Sequence, residues 1–356
     1  MGSGALTAQE SLVATAQALV GRGKGLLAMD ESTGTCNKRF AAVGIPQTVA
    51  ARRAWRELLV TAPELGASVS GAILFDETIR QSDRHGTAFV DLLTAAGVIP
   101  GIKVDLGAKD LALHPGEKVT EGLDGLAGRL REYRLLGARF AKWRAIIRIA
   151  EGLPSLACLA ANAQSLARYA AACQDMGLVP IVEPEVLMEG AHTMQRCGEV
   201  THAVLRAVFD ALDAQGVSLE AMILKPGMVL PGEDCPEAAP ADMVAAATLA
   251  ELRRSVPAAV AGIAFLSGGQ SAELASARLN AINLEHVSLP GRSPWPLVFS
   301  FGRALQQPAL QIWRGEEAHV LAAQRALIHR ATCNAAAVRG LYTSAMEHQA
   351  ALQSVS

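Results

Sequence analysis

The segment ARFAKWR, residues 138–144, decides the fold when it is taken together with LVPIVEP, residues 178–184. Both are short apolar runs of the kind that form buried β-strands. Between them, apolar side chains recur at helical spacing from Leu166 to Cys173, and Gly177 provides a helix stop. A strand, a helix and a second strand in this order predict two parallel strands joined by a crossover helix.

The same unit recurs along the whole chain. Each strand candidate is almost continuously apolar, as is typical of strands covered on both faces, and each gap is long enough for a crossover. Eight units predict an α/β protein that closes into a single (β/α)8 TIM barrel, one domain over residues 1–356. An open doubly wound sheet is the alternative, but no GxGxxG motif follows the first strand. The eight candidates are residues 25–30, 71–76, 99–105, 138–144, 178–184, 221–227, 262–268 and 295–302.

The charge and hydrophobicity of the chain exclude several classes of protein. Lys and Arg number 32 against 34 Asp and Glu, so the chain lacks the basic excess of a nucleic-acid or anionic-membrane binder. Hydrophobic residues make up 51% and charged residues 19%, which is enough apolar material for a large core. We therefore expect a globular protein with no nucleic-acid partner and no membrane partner.

Cysteine usage and the two termini indicate a compartment. The six cysteines are scattered and form no CxxC pair, which favours free thiols in a reducing compartment. Residues 1–25 do not resemble a signal peptide, and the most apolar stretch, residues 258–266, is far shorter than the ~20 residues that span a bilayer. We expect a cytoplasmic protein whose weakly patterned C-terminal tail, at about residues 343–356, is mobile.

Polar side chains gather where the predicted strands end, and this is where barrel enzymes assemble their active sites. Alternation along each strand places Lys142 with Arg144, and Glu183 with Glu185, on one face that can point into the barrel mouth. Because alternate strands fill one layer of a barrel, Lys142 and Lys225 are expected to be near neighbours. The strand-end residues are Asp30, Lys103, Asp105, Lys142, Arg144, Glu183, Glu185, Lys225 and Ser267.

Lys225 is the candidate nucleophile. A lysine attacks a carbonyl only as the free amine, and the apolar residues before Lys225 together with a second cation nearby favour that form. Glu183 is the candidate acid for forming and dehydrating a carbinolamine, and Asp30 could accept a proton from a substrate hydroxyl. Two alternatives remain open at this stage: a lysine that only extends its charge to solvent, and carboxylates that only pair with Arg144 or Lys103.

Two further segments indicate phosphate binding. SGGQSAEL, starting at Ser267, places a hydroxyl and two glycine amides at a helix N-terminus, and FSFGRAL places Gly302 and Arg303 at the next one. Barrel enzymes commonly bind phosphate on the loops after strands seven and eight, where these segments fall. No catalytic metal is expected, because no HxH or HExxH spacing occurs and the mouth carboxylates lie among cations.

The motifs DESTGT, GIKVD, FAKWR, IVEPE, ILKPGM, FLSGGQS and FSFGRAL occur here in one order, and with them the chain resembles the class I (Schiff-base) fructose-bisphosphate aldolases. The similarity runs over about residues 6–342, and few families combine these blocks. The resemblance implies a TIM barrel, usually a homotetramer, that reversibly cleaves fructose 1,6-bisphosphate into dihydroxyacetone phosphate and glyceraldehyde 3-phosphate. It implies no metal and no cofactor.

The resemblance also implies roles for individual residues. Lys225 matches the lysine that forms the iminium, Glu183 the acid that assists the carbinolamine steps, Lys142 the lysine that supports them, and Asp30 the acceptor of the hydroxyl proton. Residues that match the site of the 1-phosphate are Ser267, Gly268, Gly269, Gly302 and Arg303, and Ser300 joins them as a substrate-binding candidate. Residues that match the surroundings of the other phosphate are Ser32, Thr35, Lys103 and Arg144, while Lys38, Arg39 and Glu185 belong to the same polar ring.

Three positions depart from the family's animal members. Thr35 stands where serine is common, Gly227 follows the LKP motif where asparagine or serine is more usual, and the chain ends in SVS with no terminal tyrosine. In much of the family a C-terminal tyrosine aids proton exchange on the enamine, so that step is expected to be slower here or to use another group. Fructose 1-phosphate or sedoheptulose 1,7-bisphosphate as substrate, and a catalytically idle barrel that binds partners, are the competing functions.

Overall fold

The structure is a computed structural model that describes residues 7–21, 23–237, 239–288 and 294–348. The strands in chain order are β1 Gly25–Ala28, β2 Val69–Leu74, β3 Ile99–Lys103, β4 Ala108–Asp110, β5 Lys118–Thr120, β6 Phe140–Ile147, β7 Val179–Val186, β8 Ile223–Leu224, β9 Gly262–Phe265 and β10 Leu297–Phe301. The α-helices are α1 Ala8–Val20, α2 Thr33–Ala41, α3 Val49–Val60, α4 Leu65–Ser68, α5 Asp76–Ile79, α6 Phe89–Ala95, α7 Leu126–Leu135, α8 Leu156–Asp175, α9 Met194–Ala214, α10 Ala241–Ser255, α11 Ala272–Ser288, α12 Arg303–Trp313 and α13 Val320–Val338. Short 3₁₀ helices lie at Leu219–Ala221 and Glu317–His319.

Within these described ranges, eight parallel strands close into a barrel in the order β1, β10, β9, β8, β7, β6, β3 and β2. Each overlaps one of the eight strand candidates from the sequence, so the predicted (β/α)8 barrel is confirmed. Closure is set by the parallel pairing of the first and last strands, in which Leu27 lies opposite Phe301. The antiparallel hairpin of β4 and β5, between β3 and α7, was not predicted. Its strands are too short and too polar to show an apolar run.

Two long crossover helices, α8 and α9, begin at a residue whose side chain caps them. Ser155 accepts a hydrogen bond from the amide of Cys158 at the start of α8, and Thr193 does the same for Arg196 at the start of α9. Both helices then bury the apolar faces that their sequence spacing predicts, including Leu166 in α8. Capping and burial together account for helices of this length, because propensity alone stabilises an isolated helix only marginally.

The N-terminal end of the barrel is closed by α1 and an apolar cluster. The strands contribute Leu26, Phe140, Ile181, Ile223 and Val298, all at most 1% exposed, and α1 packs against them. Gly101 leaves the space that one of these side chains needs, because a Cβ there would lie 2.2 Å from Cε2 of Phe140. This end of the barrel is therefore packed with side chains.

In the described part of the chain, the structure shows no helix that is both long enough and apolar enough to cross a membrane. All six cysteines are free thiols, as their spacing predicts. Of the tail at 343–356, residues 349–356 lie outside the described residues, whereas Glu347 contacts Arg330 of α13. The domain boundaries and the mobility of the tail stay predictions.

Candidate active site

A cavity of about 770 Å³ opens at the C-terminal ends of the barrel strands. Every site residue predicted from the sequence lines it, which brings together side chains from seven of the eight barrel strands or the loops that follow them. These residues are Asp30, Ser32, Thr35, Lys38, Arg39, Lys103, Lys142, Arg144, Glu183, Glu185, Lys225, Ser267, Gly268, Gly269, Ser300, Gly302 and Arg303. Thr35 and Lys38 are exposed at the rim of the cavity.

Three buried charged residues form the centre of the cavity. Glu183 of β7 lies between two lysines, with its Oε2 3.1 Å from Nζ of Lys142 and its Oε1 3.2 Å from Nζ of Lys225. Nζ of Lys142 is also 2.7 Å from Oδ2 of Asp30, which follows β1. Each of the three central residues is 3% exposed. The predicted proximity of the two lysines is thus realised through a shared carboxylate.

The charges at this centre stabilise one another against burial. Burial alone would raise the pKa of Glu183 and of Asp30, but the ammonium groups of Lys142 and Lys225 outweigh it and hold both pKa values below their usual range. Burial would likewise lower the pKa of Lys142, but Asp30 and Glu183 outweigh it and raise that pKa. The two carboxylates are therefore ionised and Lys142 is charged at neutral pH.

A second set of ion pairs lines one wall. Nζ of Lys103 is 2.7 Å from Oδ1 of Asp105, and Arg144 forms a close ion pair with Glu185 that raises the arginine pKa against the effect of burial. The open alternative for Asp30 and Glu183 was pairing with Arg144 or Lys103. In the structure, Arg144 and Lys103 each pair with another carboxylate. Asp30 and Glu183 pair instead with the lysines at the centre of the cavity.

The opposite wall presents two helix N-termini with the features of an anion site. Gly268 and Gly269 have φ of +54° and +89°, a left-handed conformation that favours glycine, in the turn between β9 and α11. Gly302 precedes the first residue of α12, Arg303, at the end of the adjacent strand β10. The hydroxyl of Ser300 is buried and has no hydrogen-bond partner among the described residues. Glycine backbone, a cation and an unpartnered hydroxyl thus line the same part of the cavity.

Sequence reasoning missed a buried network behind Asp30. Glu31 lies next to Asp30 and pairs with Arg56 of α3 at 2.7 Å and with Arg39. Gln306 of α12 donates to the carbonyl of Ala28 at 2.6 Å and to Oε1 of Glu31 at 2.9 Å. These residues hold the segment after β1 in place. Arg56 and Gln306 lie inside the helices α3 and α12, and no local pattern singled them out.

The cavity offers little to a metal ion. Among the described residues, no three potential metal ligands of the mouth lie close enough to share an ion, since the carboxylates are separated by lysine and arginine side chains. What the arrangement can do is hold anions at two walls and move protons between Glu183 and an amine.

Fold and cavity together define a (β/α)8-barrel protein whose polar end gathers two lysines around one glutamate. Comparison with known proteins identifies the family: residues 11–356 match the family described as fructose-bisphosphate aldolase class-I. The chain belongs to the class I fructose-bisphosphate aldolase family, and its activity is that of an aldolase, a lyase.

Curated relatives and solved structures agree with that family. The chain is 54% identical over 332 residues to the probable fructose-bisphosphate aldolase class 1 of Xanthomonas axonopodis pv. citri (strain 306), covering 93% of this chain and 98% of that protein. It is 51% identical over 334 residues to the cytoplasmic isozyme of Cicer arietinum, covering 94% and 92%. The fructose-bisphosphate aldolase of Plasmodium falciparum, solved with TRAP and a small-molecule inhibitor, superposes with a TM-score of 0.92 at 46% identity, covering 95% and 96%.

Proposed function

We propose that this aldolase cleaves fructose 1,6-bisphosphate reversibly to dihydroxyacetone phosphate and glyceraldehyde 3-phosphate through a Schiff base on Lys225. The observation that carries the proposal is the position of Lys225, which is 3% exposed, directly follows the apolar strand β8 and lies 3.2 Å from Glu183. A buried amine with a carboxylate at hydrogen-bonding distance has a proton acceptor for its ammonium form.

The first half of the reaction uses Glu183 twice. Its carboxylate takes a proton from the Lys225 ammonium, and the free amine attacks the C2 carbonyl of the ketose to give a carbinolamine. The protonated Glu183 then returns the proton to the carbinolamine hydroxyl, so that water leaves and the iminium forms. Lys142, kept charged by Asp30 and Glu183, stabilises the negative charge that develops on the oxygen.

The second half breaks the carbon–carbon bond. Asp30 accepts the proton of the C4 hydroxyl, the bond between C3 and C4 breaks, and its electron pair moves into the iminium to give an enamine. Glyceraldehyde 3-phosphate leaves. Protonation of the enamine at C3 and hydrolysis of the iminium release dihydroxyacetone phosphate and restore Lys225. The iminium acts as the electron sink, so the proposed mechanism needs no metal and no cofactor.

The two walls of the cavity suit the two phosphates. We assign the 1-phosphate to Ser267, Gly268, Gly269, Gly302 and Arg303, with the unpartnered hydroxyl of Ser300 beside them. We assign the second phosphate to the wall that carries Ser32, Thr35, Lys38, Arg39, Lys103, Arg144 and Glu185. On that wall, Lys103 and Arg144 would exchange a carboxylate partner for phosphate.

The proposal extends to the setting of the enzyme. Glycolysis and gluconeogenesis are the pathways that use this reaction, and the cytoplasm is the proposed location, supported by relatives named as cytoplasmic or cytosolic enzymes. A homotetramer is proposed from the resemblance to the family.

Borohydride trapping tests the mechanism. The protein is incubated with dihydroxyacetone phosphate, reduced, digested and mapped by mass spectrometry, with a parallel sample in a metal chelator. We expect one adduct, on Lys225, in equal yield in both samples. No adduct, or an adduct on another lysine, would overturn the assignment. Relative kcat/KM on fructose 1,6-bisphosphate, fructose 1-phosphate and sedoheptulose 1,7-bisphosphate then tests the substrate.

A further inference from the structure

A group of three potential metal ligands lies outside the mouth of the barrel and has no role in the proposed reaction. His329 and Cys333 lie one turn apart on α13, and Glu347 reaches them from the C-terminal segment at residues 343–348. One potential ligand atom from each lies within 4.8 Å of the other two. None of the three lines the barrel cavity.

Two of the three distances among these atoms are close to those between ligands of a tetrahedral metal ion. With a Zn–S bond of about 2.3 Å and Zn–N and Zn–O bonds of about 2.0–2.1 Å, tetrahedral geometry separates sulfur from nitrogen by about 3.5 Å and nitrogen from oxygen by about 3.3 Å. Here Sγ of Cys333 is 3.6 Å from Nε2 of His329, and that nitrogen is 3.8 Å from Oε2 of Glu347. Sγ of Cys333 and the ligand oxygen of Glu347 lie within 4.8 Å of each other, against about 3.5 Å in a tetrahedral site, so the carboxylate must approach the thiol by up to about 1 Å to complete three of the four ligand positions.

From this geometry we propose that His329, Cys333 and Glu347 form a transition-metal site, for Zn²⁺ or a similar ion, that fastens the C-terminal segment to α13. Water would occupy the fourth position. Binding exchanges the thiol proton of Cys333 for the ion, and that proton passes to the solvent.

Neighbouring groups both support and limit the site. The Tyr342 hydroxyl donates to Oε1 of Glu347 at 2.7 Å, so the orientation of this carboxylate is set before an ion arrives. Arg330 donates to Oε2, the oxygen that faces His329, so an ion would share that oxygen with Arg330. Arg330 is itself fixed by the carbonyl of Ala272 at 3.0 Å and by the hydroxyl of Ser276 at 2.6 Å. Its positive charge opposes a second cation, so we expect weaker binding than in a site with three ligands and no such neighbour.

Metal titration of the full-length protein tests the site. The chain is treated with a chelator, desalted and titrated with Co²⁺, whose thiolate charge-transfer absorbance reports a bound sulfur, and Zn²⁺ is then titrated against a chromogenic chelator. We expect one ion per chain, a cobalt–thiolate band that is lost in Cys333→Ser, and at least about tenfold weaker binding in His329→Gln and Glu347→Gln.

Two matched variants separate this site from adventitious binding. Cys235 is more exposed than Cys333, and His348 is the exposed neighbour of Glu347, so Cys235→Ser and His348→Gln should bind as the parent does. A band that survives Cys333→Ser or disappears in Cys235→Ser would overturn the site, as would binding unchanged in Glu347→Gln, a variant outside the core. Because the readout is absorbance, the result is independent of the proposed mechanism at Lys225.

Discussion

The two ends of the barrel use the same strands for opposite purposes. On β6, Phe140 is fully buried at the closed end, and Lys142 follows two residues later at the open end. On β8, Ile223 belongs to the closed apolar cluster, and Lys225 follows two residues later in the mouth. One strand thus carries a packing residue and a reactive residue on the same inward face. A barrel can therefore change its chemistry at one end while the other end maintains the fold.

The energies at the two ends differ in kind. At the closed end, burial of apolar surface stabilises the fold without strict geometry. At the open end, Lys142, Glu183 and Lys225 are almost as deeply buried, and each charge is tolerable only because it faces an opposite charge. Substitutions at the closed end should therefore change stability, whereas substitutions at the open end should change turnover.

The largest effect is expected from Lys225→Met. Loss of the amine removes the covalent route, so kcat for cleavage of fructose 1,6-bisphosphate should fall by at least about 10⁴-fold and borohydride trapping should disappear. Lys109→Met, at an exposed lysine of the hairpin, is the matched control and should retain full activity. Activity of Lys225→Met within tenfold of the parent would contradict the division between the two ends.

Glu183→Gln should follow in size. Glutamine keeps the shape of the side chain but cannot carry the proton between the amine and the carbinolamine, so kcat should fall by about 10²–10³-fold. Glu185→Gln, two residues along β7 and paired with Arg144, is the comparison variant. It should raise KM more than it lowers kcat. Equal losses of kcat in both variants would show that the two glutamates do not differ in role, although one is expected to transfer protons and the other to affect substrate binding.

Asp30→Asn should separate the two halves of the reaction, which are iminium formation and cleavage of the carbon–carbon bond. The variant lacks the acceptor for the C4 hydroxyl proton, so we expect cleavage to slow by about 10²-fold. Trapping of dihydroxyacetone phosphate on Lys225 should persist, because that step uses Glu183. Loss of trapping together with cleavage would place Asp30 in carbinolamine formation instead.

Ile223→Ala probes the closed end. Truncation of this fully buried side chain should lower the free energy of unfolding by about 2–4 kcal/mol, measured by urea denaturation, with kcat and KM close to the parent values. Ile312→Ala, at a half-exposed position of α12, should change the same free energy by only about 0.5 kcal/mol or less. A large loss of turnover in Ile223→Ala would mean that the two ends are coupled.

The smallest effect concerns pH. The pKa of Asp30 is lower in the folded protein than its usual value, so the unfolded chain binds more protons in acid. Its stabilising contribution is present above the unfolded pKa of about 3.9 and is lost as the pH falls through the lowered folded value. The difference in unfolding free energy between the parent and Asp30→Asn should therefore become smaller as the pH is lowered from 6 to 3. For Ile223→Ala the difference should stay constant, and a parallel narrowing there would refute the electrostatic explanation.

Much of this molecule could be predicted from local patterns. The eight strands appeared as apolar runs because both faces of a barrel strand are covered, and most predicted site residues lie in the C-terminal half of a strand or in the turn that follows it. The hairpin of β4 and β5 escaped prediction because three-residue strands with polar side chains carry no periodic signal. Arg56 and Gln306 escaped because nothing in their own helices shows that Glu31 lies beside them.

The sequence itself thus determined the order of strands along the chain, their inward faces and the residues of the mouth. These features depend on the alternation of side chains within a few residues. Only the tertiary structure decided which charges meet. It paired Glu183 with two lysines and left Arg144 to Glu185, and it brought Glu347 to His329 and Cys333. The physical reason is that an ion pair or a set of metal ligands depends on distances of a few ångströms between residues far apart in the chain, which only the packing of the barrel and its helices sets.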